Sequence, residues 1–166
     1  MAEPKNSNYG GWFKDLENGT LDIYYGEGGA SDPVEIARVD TSGMTIVTGD
    51  LGVAAGTVHL QDGGTITQAS NKSTGVTLNT NSGQITMNGA ALADDTEISF
   101  VVTNSNVAAT DVVIINHGSA GTMGAYVVQA SNIGAGSFEV SIKNVSGGAL
   151  SEAAVINFAV IKGASS

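Results

Sequence analysis

Apolar residues in this chain fall mostly at alternate positions, in short bursts separated by glycine and small polar residues. The run Ser137-Phe138-Glu139-Val140-Ser141-Ile142-Lys143 shows the pattern cleanly, with Phe138, Val140 and Ile142 on one face and polar residues on the other. A period of two marks a strand with one buried face. Bursts of this kind predict strands at 97–104, 111–117, 125–130, 137–144 and 153–162. Turn signals separate them at Asn104-Ser105-Asn106, 118–124, 132–136 and Gly147-Gly148. Strands at this spacing predict a jelly-roll-like β-sandwich knob over residues 92–166. Two stretches, 111–116 and 153–161, are apolar on both faces. That suits a strand at the centre of a sheet, or one covered on its second side at an interface.

Residues 1–43 have a different texture. A polar tail leads into Tyr9-Gly10-Gly11-Trp12-Phe13, which holds the only tryptophan. Asn18-Gly19 is a favoured hairpin dipeptide, and alternation at 21–25 and 34–40 predicts a small N-terminal sheet of two or three strands. Between the two regions, residues 44–91 carry short apolar pairs at i, i+2 spacing, punctuated by glycine. Ile46, Val53, Ile66, Val76 with Leu78, and Ile85 with Met87 are among them. Burying such a pair contributes roughly 3–6 kcal/mol, whereas ordering a strand costs about 1–2 kcal/mol per residue. A lone strand of this kind is therefore in deficit. The expectation is a short intertwined trimeric β-rich shaft, in which identical strands from three chains close around these seven residues. A flexible glycine-rich linker is the alternative, and linkers have no reason to keep the pairing. The stretches 65–68, 76–79 and 84–87 are also candidates to complete the sheets of the knob.

Composition supports the all-β class. Among 166 residues, 23 are glycine and only 13% are charged, while 42% are hydrophobic. The formal net charge of −10 repels phosphate, so nucleic acid is not an expected partner. No apolar run approaches the roughly 20 residues that span a bilayer, and Met1 to Gly11 lack the apolar core of a signal peptide. There is no cysteine, which removes disulfides and thiolate chemistry.

The stretch Thr65-Ile66-Thr67-Gln68-Ala69-Ser70-Asn71-Lys72-Ser73-Thr74-Gly75-Val76-Thr77-Leu78-Asn79, with Gly83-Gln84-Ile85-Thr86-Met87-Asn88, resembles tail-fibre-like and capsid-associated structural proteins of tailed phages, many of them marine. So do Phe100-Val101-Val102-Thr103-Asn104-Ser105, Asn144-Val145-Ser146-Gly147-Gly148 and Asn157-Phe158-Ala159-Val160-Ile161-Lys162, and the likeness covers about residues 64–163. Gly19-Thr20-Leu21-Asp22-Ile23-Tyr24-Tyr25 looks like the virion-attaching ends of such proteins. The resemblance implies a non-enzymatic homotrimer on the outer surface of a virion, with an N-terminal attachment part. Lacking a long shaft or large adaptor, the chain is expected to be a capsid decoration or head-fibre protein bound to the major capsid protein or another virion protein. A short tail fibre recognising a host-surface glycan or protein is the alternative, and a polysaccharide-degrading enzyme a third.

Candidate chemistry is sparse. Tyr9, Trp12 and Phe13, aromatic and flanked by glycine, are candidate anchors in a partner's pocket, or else ordinary cover for the N-terminal sheet. His59 alternates with Val58 and Leu60, so it faces away from them. His117 reads as a strand-end residue. Asp94-Asp95 with Glu97 is the densest acidic group, and it reads as a solvated turn rather than a glycosidase pair. No cofactor, metal site or catalytic residue is expected.

Overall fold

The computed structural model describes residues 11–16, 20–25, 34–40, 43–46 and 63–163. All the regular elements among the described residues are strands, so the observed class is the all-β class that the alternation predicts. The chain divides into two compact units, Met1–Val58 and His59–Ser166.

The first unit holds one antiparallel sheet of four strands in chain order: β1 (Gly11–Leu16), β2 (Thr20–Tyr25), β3 (Val34–Asp40) and β4 (Gly43–Ile46). Leu16 pairs with Thr20 across Asn18-Gly19, a dipeptide that itself lies outside the described residues. The fourth strand exceeds the two or three expected, and it takes Met44 and Ile46 from the segment read as shaft. Val39 and Met44 are cross-strand partners, and both are exposed, while Ile46 is half-buried.

The second unit contains eight strands: β5 (Gly63–Thr67), β6 (Val76–Thr77), β7 (Ser82–Thr86), β8 (Glu97–Thr103), β9 (Val112–Ser119), β10 (Tyr126–Gly134), β11 (Ser137–Asn144) and β12 (Val155–Ile161). They form two four-stranded sheets, ordered β10-β11-β8-β6 and β5-β7-β12-β9. Two such sheets make the β-sandwich that the sequence predicts, without the all-antiparallel pairing of a jelly roll. Each sheet contains one parallel pair, β6 with β8 and β5 with β7. The inner faces meet in a core where Phe138 of β11 packs against Phe158 of β12, ring centroids 5.4 Å apart. Val102, Val140, Ile142 and Ile156 are fully enclosed around them.

Residues 63–91 of the glycine-punctuated segment are part of this sandwich. Ile85 and Met87 are 0% and 1% exposed within the single chain, and Val76 is also buried. Ile66 and Leu78 pack against the same core. These five residues were expected at a trimer axis; Val76, Ile85 and Met87 are enclosed within their own chain, and Ile66 and Leu78 are partly covered by it. The reason is pairing at long range. β7 lies beside β12 with Ile85 opposite Ile156, and β6 lies beside β8 with Val76 opposite Val102. Strands some seventy and twenty-five residues away thus make up the deficit estimated for a strand alone. Val53 lies outside the described residues.

Candidate functional site

Two buried polar groups brace the sandwich. Lys72 is 4% exposed. Its Nζ donates to the backbone carbonyls of Asn88, at 2.7 Å, and of Glu152. Burial pushes its pKa down, and the nearby Glu152 charge opposes that shift. Gln68, also buried, uses both ends of its amide. Nε2 donates to the carbonyls of Lys72 at 2.9 Å and Thr74 at 2.8 Å, and Oε1 accepts from the Asn88 backbone N–H at 3.0 Å. Together they fasten the loop before β6 to the segment after β7. Neither residue stands out in the sequence, because Gln68 ends the candidate strand 65–68 and Lys72 lies in the polar stretch that follows it.

Nearby, the Glu152 carboxylate accepts from the Thr122 backbone N–H at 2.8 Å, the Thr122 hydroxyl at 2.6 Å and the Tyr126 hydroxyl at 2.9 Å. The Thr122 hydrogen bonds hold its pKa down. Burial, with the Glu152 bond and charge, pushes the Tyr126 phenol up to about 12. His117 stands edge-on to the Tyr126 ring, 5.6 Å between centroids, and its Nε2 lies 2.6 Å from the Ala120 carbonyl. Each of these polar groups is engaged in pinning the loop from β9 to β10.

The acidic group before β8 is also structural. Asp94 accepts from the Gly147 N–H at 2.8 Å, and Asp95 pairs with Lys143 at 2.6 Å. Asp95 has φ 54°, a left-handed conformation that aspartate tolerates in turns. Glu97, Val127, Gln129, Ser141 and Lys143 line a shallow depression on the outer face of β10-β11-β8. No aromatic residue lines it, so it has no platform on which to stack a sugar. Among the described residues no group of three or more His, Asp or Glu side chains is placed to hold a metal ion.

The two outer faces of the sandwich differ sharply in charge. On β10-β11-β8, Val127, Lys143 and Glu97 form one row, and Ser131, Glu139 and Val101 another. Glu139 accepts from Ser99 and Asn132. On β5-β7-β12-β9 the outward positions carry no ionisable group. One row across all four strands is Thr65, Gln84, Asn157 and Asn116. Beside it run Gly63, Ser82, Ala159 and Ile114, and then Ile161 opposite Val112. Val112, Ile114 and Ile161 are 56%, 52% and 49% exposed. This is the structural outcome of the two stretches that are apolar on both faces. Their inner residues, Val113, Ile156, Phe158 and Val160, fill the core, while their outer residues form an uncovered apolar patch.

The candidate anchors fall in the first unit. Tyr9 lies outside the described residues, and Trp12 and Phe13 occupy adjacent positions of β1, with no side-chain placement described. His59 also lies outside them. No protein-family model matches the chain, and no curated protein or solved structure shows detectable similarity to it.

Proposed function

We propose that this protein is a non-enzymatic structural component of a tailed-phage particle. In this reading it is a homotrimeric decoration or head fibre on the outer capsid surface, which stabilises the shell or presents its sandwich to the host. The observation that carries the reading is the outer face of β5-β7-β12-β9, uncharged throughout and apolar at Val112, Ile114 and Ile161. An uncharged, partly apolar face of this kind suits a protein whose task is to be packed against other subunits. The sequence resemblance, which spans the whole sandwich, points the same way. Tyr9, Trp12 and Phe13 are the proposed capsid anchors. The alternative is a short tail fibre that reads a host glycan or protein. The charged, aromatic-free depression beside Lys143 favours the decoration reading over glycan binding, since sugars are generally held on aromatic faces.

Copy number separates the readings. Particles are purified and the band of this chain is measured by gel densitometry against the major capsid protein. A stoichiometric ratio supports decoration, and a ratio of a few copies per particle supports the fibre. Absence of the chain from purified particles overturns both.

A further inference from the structure

We infer that the outer face of β5-β7-β12-β9 is the docking surface for a second copy of this chain. The inference rests on the homotrimer reading and deepens it, by naming the face through which copies meet.

Charge is the first argument. The chain carries a formal net charge of −10, so two copies repel as they approach. They meet at least cost through surfaces that contribute nothing to that repulsion. Across four strands, the outward positions of this face hold no Asp, Glu, Lys, Arg or His. The opposite face of the sandwich holds Glu97, Glu139 and Lys143. A basic partner would be drawn to acidic positions, and here there are none. A neutral face on an acidic chain fits a partner of like charge.

The make-up of the face is the second argument. The row Gln84, Asn157 and Asn116 is built of amides, each of which both donates and accepts. Gln84 and Asn116 are exposed and can hydrogen-bond polar groups of a neighbouring copy, whereas the Asn157 Oδ1 is buried among the described residues without a partner. The adjoining apolar strip of Ile114, Ala159 and Ile161 gains by burial against neighbouring copies when three such faces turn toward one three-fold axis. The local backbone keeps the amide row low. A Cβ at Gly118 would come within 2.4 Å of the Asn157 amide nitrogen, so glycine there lets the Asn157 side chain lie close over β9.

The test uses the full chain. Wild type, Ile114→Lys, Ile161→Lys and a control, Val127→Lys, are compared by size exclusion with multi-angle light scattering at micromolar concentration. Val127 is equally exposed, at 54%, but on the opposite face. The expected result is an oligomeric wild type and control, with both face variants shifted to monomer mass while keeping a strand-type circular dichroism spectrum. As a second measurement, Ile114→Cys and Val127→Cys are made in this cysteine-free chain and treated with a maleimide. The first is expected to be protected in the native protein and the second to react freely. This reading holds even if a lysine variant fails to fold. An oligomer that survives both face variants, with Cys at 114 reacting freely, overturns the proposed face and leaves the homotrimer standing. A monomeric wild type overturns the face and the homotrimer together.

Discussion

At the scale of the residue, the Asp111 carboxylate accepts three hydrogen bonds. Its side chain is 1% exposed. One oxygen accepts from the Gly163 N–H at 3.0 Å, and the other from the Ala108 N–H at 2.8 Å and from the Lys162 ammonium. The Lys162 hydrogen bond, with the two backbone donors, holds its pKa down to about 2, against an ordinary 3.8. A carboxylate whose folded pKa is depressed stabilises the fold above its unfolded pKa, and that contribution disappears as pH falls through the folded one. Asp111→Asn is therefore expected to lower the melting temperature at neutral pH. The gap from wild type should close as pH drops from about 4 toward 2, when the wild-type carboxylate also loses its charge. Thermal melts across that range measure it, and a gap that stays constant with pH contradicts the assignment. Little of this was legible in the sequence, where Asp111 is simply the first residue of an apolar stretch. The sequence places Asn104 at a turn and Asn144 at the end of a strand, but shows the burial of neither. Asn144 Nδ2 donates to the carbonyls of Leu92, at 2.9 Å, and Gly148, at 2.7 Å, and Leu92 is fifty-two positions away. Side-chain brackets of that span leave no local pattern.

At the scale of the element, strand faces were legible and strand neighbours were not. The alternation at 137–144 gave β11 its bounds and its inner face, because a period of two is a local property of the chain. That β7 pairs with β12, or that β5 runs parallel to β7, depends on chain closure over long loops, which alternation does not encode. The two-residue β6 is too short to show a period at all. Glycine at 83 is the trace of this hidden pairing. β7 lies between β5 and β12, and Gly83 faces Gly64 on one side and Phe158 on the other. A Cβ there would stand 2.7 Å from Leu78 Cδ2, 2.9 Å from the Gly64 carbonyl oxygen and 2.9 Å from Phe158 Cε1. The Leu78 side chain can move aside, but the Gly64 carbonyl belongs to the parallel ladder. Gly83→Ala is therefore expected to destabilise the sandwich by about 1–3 kcal/mol, the usual cost of overpacking. Gly89 is the matched control. It is exposed, with nothing within 4 Å of its would-be Cβ, and Gly89→Ala is expected to stay within about 0.5 kcal/mol of wild type. Urea unfolding of both variants checks the contrast, and equal midpoints refute it.

At the scale of the molecule, the question is which length of chain can stand as a sandwich. The sequence places a boundary at Leu92, where strong strand signals begin, and the structure places the compact unit from His59. The difference is three strands. Without β5, β6 and β7, the sheet β5-β7-β12-β9 is reduced to β12 and β9, and β8 becomes an edge of the other sheet. A two-stranded sheet is marginal in water, and this one would lose the cover that Ile85 and Met87 give the core. The Lys72 and Gln68 brackets would go with it. A fragment of residues 59–166 is therefore expected to unfold cooperatively on heating, with a strand-type circular dichroism spectrum. A fragment of residues 92–166 is expected to show no cooperative transition and to bind a hydrophobic dye. If the shorter fragment melts cooperatively and excludes dye, β5, β6 and β7 are accessories, and the apolar pairs at 66, 76–78 and 85–87 need an explanation outside the sandwich. If only the longer one does, those pairs exist to close a core within one chain. Association between copies then has to be sought on the outer face of β12 and β9, where apolar residues remain uncovered after the fold is complete.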